Sequence, residues 1–367
     1  MAFSFGAPAA GGSSIGGFGS TASGFGSTAT NINPNNDYTV PSPPSDSVSS
    51  LSWSPTANIL AAGSWDNKVS CWEVQTQTGA VSQAVPRAQF THEGPVLDTA
   101  FSGDGTMVFS ASCDKTAKMW NLGQAGSPGQ QIAAHDAPIK CIDFIPELNM
   151  VVTGSWDKTL KFWDCRTPNP VGTFQLPERC YAMDVRHPLL VVATAERRIV
   201  IYDLTGQPKE YRALESPLKY QSRCVAVFPD KSGFALGSIE GRVAIHHAET
   251  RHAGKNFAFK CHRATEGSVV QVHAVNSLAF HPLGTFATAG ADGVFNFWDK
   301  DSKQRLKAFT KCPQTISCSK FSTNGEIYAY ALSYDWSMGA QGHNPQNPNN
   351  IMLHYTTEEE IKQRKKK

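Results

Sequence analysis

Residues 112–120 read SCDKTAKMW, residues 154–163 read GSWDKTLKFW, and residues 63–72, GSWDNKVSCW, are a near copy. In each, an acid in a turn-like setting (Asp66, Asp114 or Asp157) is followed six positions later by a tryptophan (Trp72, Trp120 or Trp163). The same spacing recurs at Glu196 and Tyr202, Glu240 and His246, and Asp292 and Trp298; Asp335 in SYDW opens a seventh unit, with an insertion before its strand IMLHY. The intervals between these acids are 48, 43, 39, 44, 52 and 43 residues. That period, with four short strands per unit, is the sequence sign of propeller blades.

A second set of segments holds the same register. LSWSP, LDTAFSGDG, CIDFIP, YAMDVRHP, CVAVFPD, NSLAFHP and SCSKFSTNG each precede one of the acids, alternate apolar with small or polar residues, and end in turn chemistry. Seven strands of one kind and seven turns of another predict an all-β, seven-bladed propeller. A ring needs a closing strand, since an open one leaves sheet edges unpaired, and DYTV, residues 37–40, is the candidate. The reading divides the chain into a disordered Gly/Ser-rich tail at 1–36, a propeller at 37–356 and a charged C-terminal tail at 357–367, where TTEEEIKQRKKK carries the only helical pattern.

Composition narrows the function. The chain has 367 residues, 40 % of them apolar, and its most apolar stretch, PLLVVATA from Pro188, is only strand-length, so neither a membrane span nor a secretory leader is expected. The net charge is +2, and without the last ten residues the body balances at 28 basic and 28 acidic residues. Any nucleic-acid affinity must therefore come from a local patch or from the tail. Nine cysteines without a CxxC pair read as reduced thiols, with no metal site and no cofactor. Residues 1–36 lack any charge and carry Phe-Gly at Phe5, Phe18 and Phe25: a solvated tail, or a sticker segment similar to nuclear-pore repeats. The end KQRKKK is either a solubilising terminus or a nuclear-targeting, RNA-contacting tail.

No phosphate-binding glycine loop, no GxSxG elbow at a strand-to-helix turn and no HExxH helix is present. His246, His247 and His252 read as ordinary strand and loop residues, because neighbours on a strand point to opposite faces. Cys261-His262 fails as a nucleophile–base pair for the same reason. No catalytic residue is assigned. The departures from the repeat are more informative: Glu196-Arg197-Arg198 and Glu240-Gly241-Arg242 replace the usual Asp-Lys turn, and the longest interval contains FAFKCHRATEG. There Phe257, Phe259, Lys260, His262 and Arg263 interleave aromatic and basic character near Arg242. Such a segment is a solvated loop, an anchor for an acidic peptide, or a surface for single-stranded RNA. WDKDSKQRLK, residues 298–307, adds basic residues on the next blade.

The repeat text resembles the WD-repeat family, whose hallmark dipeptide survives at Trp163-Asp164 and Trp298-Asp299, whereas blade two ends in Trp120-Asn121. His92 in HEGPV and His135 in HDAPI match the histidine that opens a blade in that family. The resemblance implies structural roles in a buried hydrogen-bond network for His92, Asp114, His135, Asp157 and Asp292. HDAPIK, LPERCYAMDV, ESPLKYQSRC, SIEGRVAIHH, FKCHR and AVNSLAFHP are similar to one small family of seven-bladed propellers with two branches. One serves mRNA export at the nuclear pore; the other is the mitotic spindle-checkpoint propeller that binds checkpoint kinases at kinetochores. The Phe-Gly tail, SCDKTAKMWNL and NFWDKD resemble the export branch, while ESPLKYQSRC and PELNMVVTGSWDKT are nearly as close to the checkpoint branch.

By resemblance the protein is a non-enzymatic adaptor, a monomeric propeller within a heterodimer. Its implied partner is the acidic GLEBS motif of a Phe-Gly nucleoporin, held on the top face by Glu240 and Arg242. A groove of Phe259, Lys260, Trp298, Lys300, Lys303 and Arg305 is implied for single-stranded RNA or a protein ligand, RNA binding alone or only with the nucleoporin. The implied location is the nucleus and nuclear pore complex, with shuttling to the cytoplasm. The alternative partners are checkpoint kinases and spindle proteins.

Overall fold

The computed structural model describes residues 31–124, 126, 128–344 and 347–364. The Phe-Gly dipeptides and the last three lysines lie outside the described residues. The compact body is the unit Ile32–Lys367. Among the described residues it forms seven four-stranded antiparallel sheets and one separate two-stranded hairpin.

Blade one shows the plan: Val48–Trp53, Ile59–Ser64, Lys68–Gln77 and Ala80–Thr91, inner to outer. The second strand of a blade is covered on both faces by its neighbours. Leu189–Thr194 in blade four and Ile327–Leu332 in blade seven are buried at every position. That is why PLLVVATA is apolar without alternating. The inner strands carry serines and threonines that bond across blades, Ser52 to Thr99 at 3.0 Å and Ser277 to Ser319 at 2.9 Å.

Each repeat acid sits between the second and third strands, and the residue after it takes a left-handed conformation: Asn67, Lys115, Lys158, Arg197, Gly241, Gly293 and Trp336, with φ between 56° and 76°. Five of the acids close the turn by accepting the amide two residues on, as Asp66 does from Lys68 at 3.0 Å and Asp157 from Thr159 at 2.9 Å. A glutamate is one methylene too long for this loop, and neither Glu196 nor Glu240 makes that bond, so their carboxylates are released for other partners.

The ring closes as the sequence predicts. Tyr38 and Thr39 pair with Leu353 and Met352, making the N-terminal strand the outermost strand of blade seven, beside Asn350–Tyr355. The body nevertheless exceeds residues 37–356 at both ends. Asn33 bonds Asp37 through both its amide oxygen and its amide nitrogen, and Asn35 bonds the backbone of Thr310. At the other end Glu358–Ile361 forms a helical turn with a Thr357–Glu360 capping box, Ile361 is buried, and the Arg364 amide donates to Asp299. His354 ties the two ends together: its Nδ1 lies 2.7 Å from Asp37 and its Nε2 2.9 Å from Glu360, while the Tyr330 hydroxyl donates to the other Asp37 oxygen at 2.7 Å.

Candidate functional site: the turn face and the groove between blades five and six

Three histidines build the same buried network. His92 Nδ1 meets Asp114 at 2.8 Å, its Nε2 meets Ser110 Oγ at 2.7 Å, and Trp120 Nε1 donates to that hydroxyl at 2.7 Å. Blade three repeats it with His135, Asp157, Thr153 and Trp163, each contact at 2.8 Å. Blade six repeats it again with His262, Asp292, Thr288 and Trp298, at 2.8–3.0 Å. The hydroxyl takes the indole N–H and gives its own proton to Nε2, so the imidazole carries its proton on Nδ1, toward the acid. Burial alone would raise the three carboxyls, but hydrogen bonds hold Asp114, Asp157 and Asp292 below the ordinary range. Burial also lowers His135, which stays neutral. His262, which the sequence groups with the aromatic–basic segment, is thus a blade-ordering residue. The FKCHR string hides it because the histidine stands 30 residues before its acid, whereas His92 and His135 stand 22 before theirs.

Blade five consists of Ser222–Val227, Gly233–Ser238, Arg242–His247 and Phe257–Lys260. Arg242 and Lys260 are cross-strand partners. Arg242 Nε lies 3.5 Å from Glu240, and the arginine side chain is 33 % exposed. Glu240 is tucked beneath it and also lies 3.9 Å from Arg263, so it orients the cations and does not face outward. Arg263, in turn, donates to the carbonyls of Glu240 at 2.7 Å and Gly241 at 3.4 Å.

Side chains on the outer strand alternate, and this separates the predicted groove residues. Phe257 and Phe259 turn toward blade six, Val275–Phe280, Thr285–Gly290, Phe295–Asp299 and Gln304–Ala308. Lys260 stands out on the other side, beside Arg242. A continuous stripe results: Lys303 Nζ is 4.7 Å from the Phe257 ring, Phe257 is 6.2 Å from Phe259, Phe259 is 4.7 Å from Trp298, and the Arg305 guanidinium is 5.9 Å from Trp298. The structure therefore brings Phe259, Trp298, Lys303 and Arg305 together. Lys300 is not among them: its side chain is only 9 % exposed, bonded to Asp301 at 3.0 Å and lying over Phe228. Its charge is consumed locally.

Sequence reasoning missed the apolar character of the turn-bearing face. Trp65, Tyr220, Ile239, Val269, Val270, Trp336 and Met338 are exposed there, on turns or on connections between blades. At its centre a cavity of about 450 Å³ is lined by Trp65, Trp156, Tyr181 and Trp336 together with Lys140, Arg179 and Arg223. The tryptophan that precedes the turn acid in GSWD was the available signal, since a buried turn has no need of it. Among the described residues no group of three or more His, Cys, Asp or Glu side chains could hold a metal, and no helix is long and apolar enough to cross a membrane.

A rigid ring with one apolar, cationic end and a cation–aromatic stripe on its flank is a docking scaffold of the WD-repeat class. Models of the WD domain, G-beta repeat, match residues 36–73, 85–121, 126–164 and 264–299, passing over the two glutamate turns. The chain is 57 % identical over 334 residues to Protein RAE1 of Arabidopsis thaliana, covering 90 % of this chain and 94 % of that protein. It is 54 % identical to the mRNA export factor of Xenopus tropicalis over 97 % of this chain and 99 % of that one, and 54 % identical to the mRNA export factor of Mus musculus over 96 % and 99 %. The chain belongs to the mRNA export factor family of WD-repeat propellers, a class of scaffolds.

Proposed function

We propose that this propeller is an adaptor in mRNA export, working in the nucleus and at the nuclear pore complex and shuttling to the cytoplasm. Its turn-bearing face takes the acidic GLEBS motif of a Phe-Gly nucleoporin, and the groove between blades five and six takes single-stranded RNA. The export role follows the names of relatives that match nearly the whole chain, which also disfavours the checkpoint reading. The docking mode is supported above all by one observation: Arg242 and Lys260 stand side by side at the edge of an exposed apolar face. An extended segment with both carboxylates and apolar residues matches that surface. Guanidinium binds a carboxylate bidentately, and an ordered, half-exposed arginine meets it with little loss of freedom.

Calorimetric titration with the GLEBS peptide of a Phe-Gly nucleoporin and that of a checkpoint kinase, at one salt concentration, is expected to favour the nucleoporin peptide. Arg242→Ala is expected to weaken that binding by about 1–3 kcal/mol, the scale of a truncated charge-assisted contact. Unchanged affinity removes Arg242 from the site; preference for the kinase peptide moves the protein to the checkpoint branch.

For RNA, Lys303 and Arg305 supply charge while Phe257, Phe259 and Trp298 supply stacking surface. The double change Lys303→Glu, Arg305→Glu leaves the Trp298 network intact. It should lower single-stranded RNA affinity roughly tenfold or more and flatten the log–log salt slope by about 1.4, two phosphate contacts at ~0.7 each. Titrations with and without the nucleoporin peptide separate direct binding from peptide-dependent binding. An unaltered slope would rule this groove out.

A further inference from the structure

Between blades five and six the chain builds a hairpin that belongs to neither. Arg263–Glu266 pairs with Val269–Val272 around Gly267 and Ser268, and among the described residues no third strand joins this sheet. At its root the His273 amide donates to the His262 carbonyl at 3.0 Å. Bonded and non-bonded pairs alternate along an antiparallel ladder, so Ala264–Gln271 and Glu266–Val269 are the bonded pairs above that root. The N–H and C=O groups of Val270 and Val272 consequently point away from the hairpin, along a free edge. Natural edges of this kind are blunted with lysine, proline or a covering loop. The strand Val269-Val270-Gln271-Val272 has neither residue, and its three valines are 62 %, 54 % and 43 % exposed.

The edge is held in a fixed place. Gly241, at φ +62°, lies so close under the hairpin that a Cβ there would meet the Cys261 carbonyl oxygen at 2.6 Å and that of His273 at 3.0 Å. Arg263 fastens the first strand to the Glu240–Gly241 backbone. The root therefore stands beside Arg242 and Lys260. Glu240 is already shared between Arg242 and Arg263, and Lys260 has no ion pair among the described residues. A row of unpaired backbone groups flanked by apolar side chains thus runs into a site of uncompensated positive charge.

We propose that this hairpin receives its acidic partner by strand addition. The partner segment extends the sheet through the outward N–H and C=O groups of Val270 and Val272, covers the valines with alternate apolar side chains, and carries a carboxylate to Arg242 and Lys260. The inference rests on the reading that a nucleoporin's acidic motif docks on this face, and adds how it is held. Backbone pairing provides affinity that tolerates sequence change, and the side-chain contacts provide register.

The test titrates the GLEBS peptide into the full chain and into two variants. Val270→Pro removes one outward N–H at an edge position that tolerates proline. Val270→Thr keeps the backbone donor and the β-branched shape. Strand addition predicts at least a tenfold loss for Val270→Pro and less than threefold for Val270→Thr. Wild-type affinity in Val270→Pro, or equal losses in both variants, overturns it. Hydrogen exchange on the wild-type chain provides an independent readout: amides of residues 263–273 should exchange at least tenfold more slowly with peptide bound, and no change overturns the proposal. Sedimentation showing a wild-type dimer that Val270→Pro abolishes would assign the edge to a second copy of the chain instead. Failure of the wild-type chain to bind the peptide at all would overturn the docking reading itself, and this inference with it.

Discussion

Asp157→Ala is expected to destabilise the propeller by about 3 kcal/mol. The carboxylate accepts from His135 at 2.8 Å, the Asp136 amide at 3.1 Å, the Thr159 amide at 2.9 Å and the Thr159 hydroxyl at 2.6 Å. The side chain of His135 is fully buried and that of Asp157 is 8 % exposed. Removing the acid takes the ionised acceptor from the buried imidazole N–H, leaving it only the Thr159 hydroxyl at 3.1 Å, at a cost of about 1–3 kcal/mol, and loosens the turn that positions blade three against blade two. Asp66 is the internal comparison. It closes the equivalent turn and accepts from Ser45, but these contacts are exposed or only part-buried and no histidine leans on it. Asp66→Ala should cost about 1 kcal/mol. Urea denaturation of both variants checks the pair; equal losses would mean that the turn matters and the buried network does not.

A second large effect is tied to pH. Burial works against charge on His354, but its bonds to Asp37 and Glu360 outweigh that and raise its pKa from 6.5 to about 9. The raised folded-state value stabilises the fold fully below the unfolded value of 6.5, and the contribution disappears as pH rises through about 9. In full it is on the order of 3 kcal/mol. Asp143 also titrates in this region, because burial and the nearby Asp184 push its carboxyl up to about 7. Burial also pushes thiols such as Cys71, Cys224 and Cys318 up to about 12, and these lose stability over the same alkaline range, so the histidine's share, about 2 kcal/mol between pH 7.5 and 9.5, is read as the difference between the wild-type chain and a variant without the charge. His354→Gln keeps a hydrogen-bonding side chain between the two carboxylates and abolishes the charge, so across this window its stability should fall by about 2 kcal/mol less than that of the wild-type chain. A variant that retains the full slope would show that ring closure does not depend on the ion pair. The consequence is architectural, since Asp37 brings in the closing strand and Glu360 the C-terminal turn.

Much of this was readable from the chain. Local chemistry repeats in a propeller, because the blades share one turn geometry and most of them make it with the same residues. The six-residue step from acid to aromatic therefore announced the ring, and DYTV was recognisable as the missing strand because a ring must close. His92 and His135 were legible for the same reason. His262 was not, because the inserted hairpin displaces it from the usual spacing to its acid. The groove residues were half legible. Phe259, Trp298, Lys303 and Arg305 converge. Lys260 falls to the Arg242 side through strand alternation, and Lys300 is spent on Asp301.

The sequence by itself determined the number of blades, the placement of their turns and the family, because these depend on short-range spacing and on text that relatives share. Only the tertiary structure decided which charges are free. Whether an arginine or lysine can meet a partner depends on carboxylates, rings and carbonyls brought close from distant positions in the chain. Glu240 beneath Arg242, Asp301 against Lys300 and the free edge of Val269–Val272 above Gly241 are all such placements, and the chemistry of the docking face lies in them.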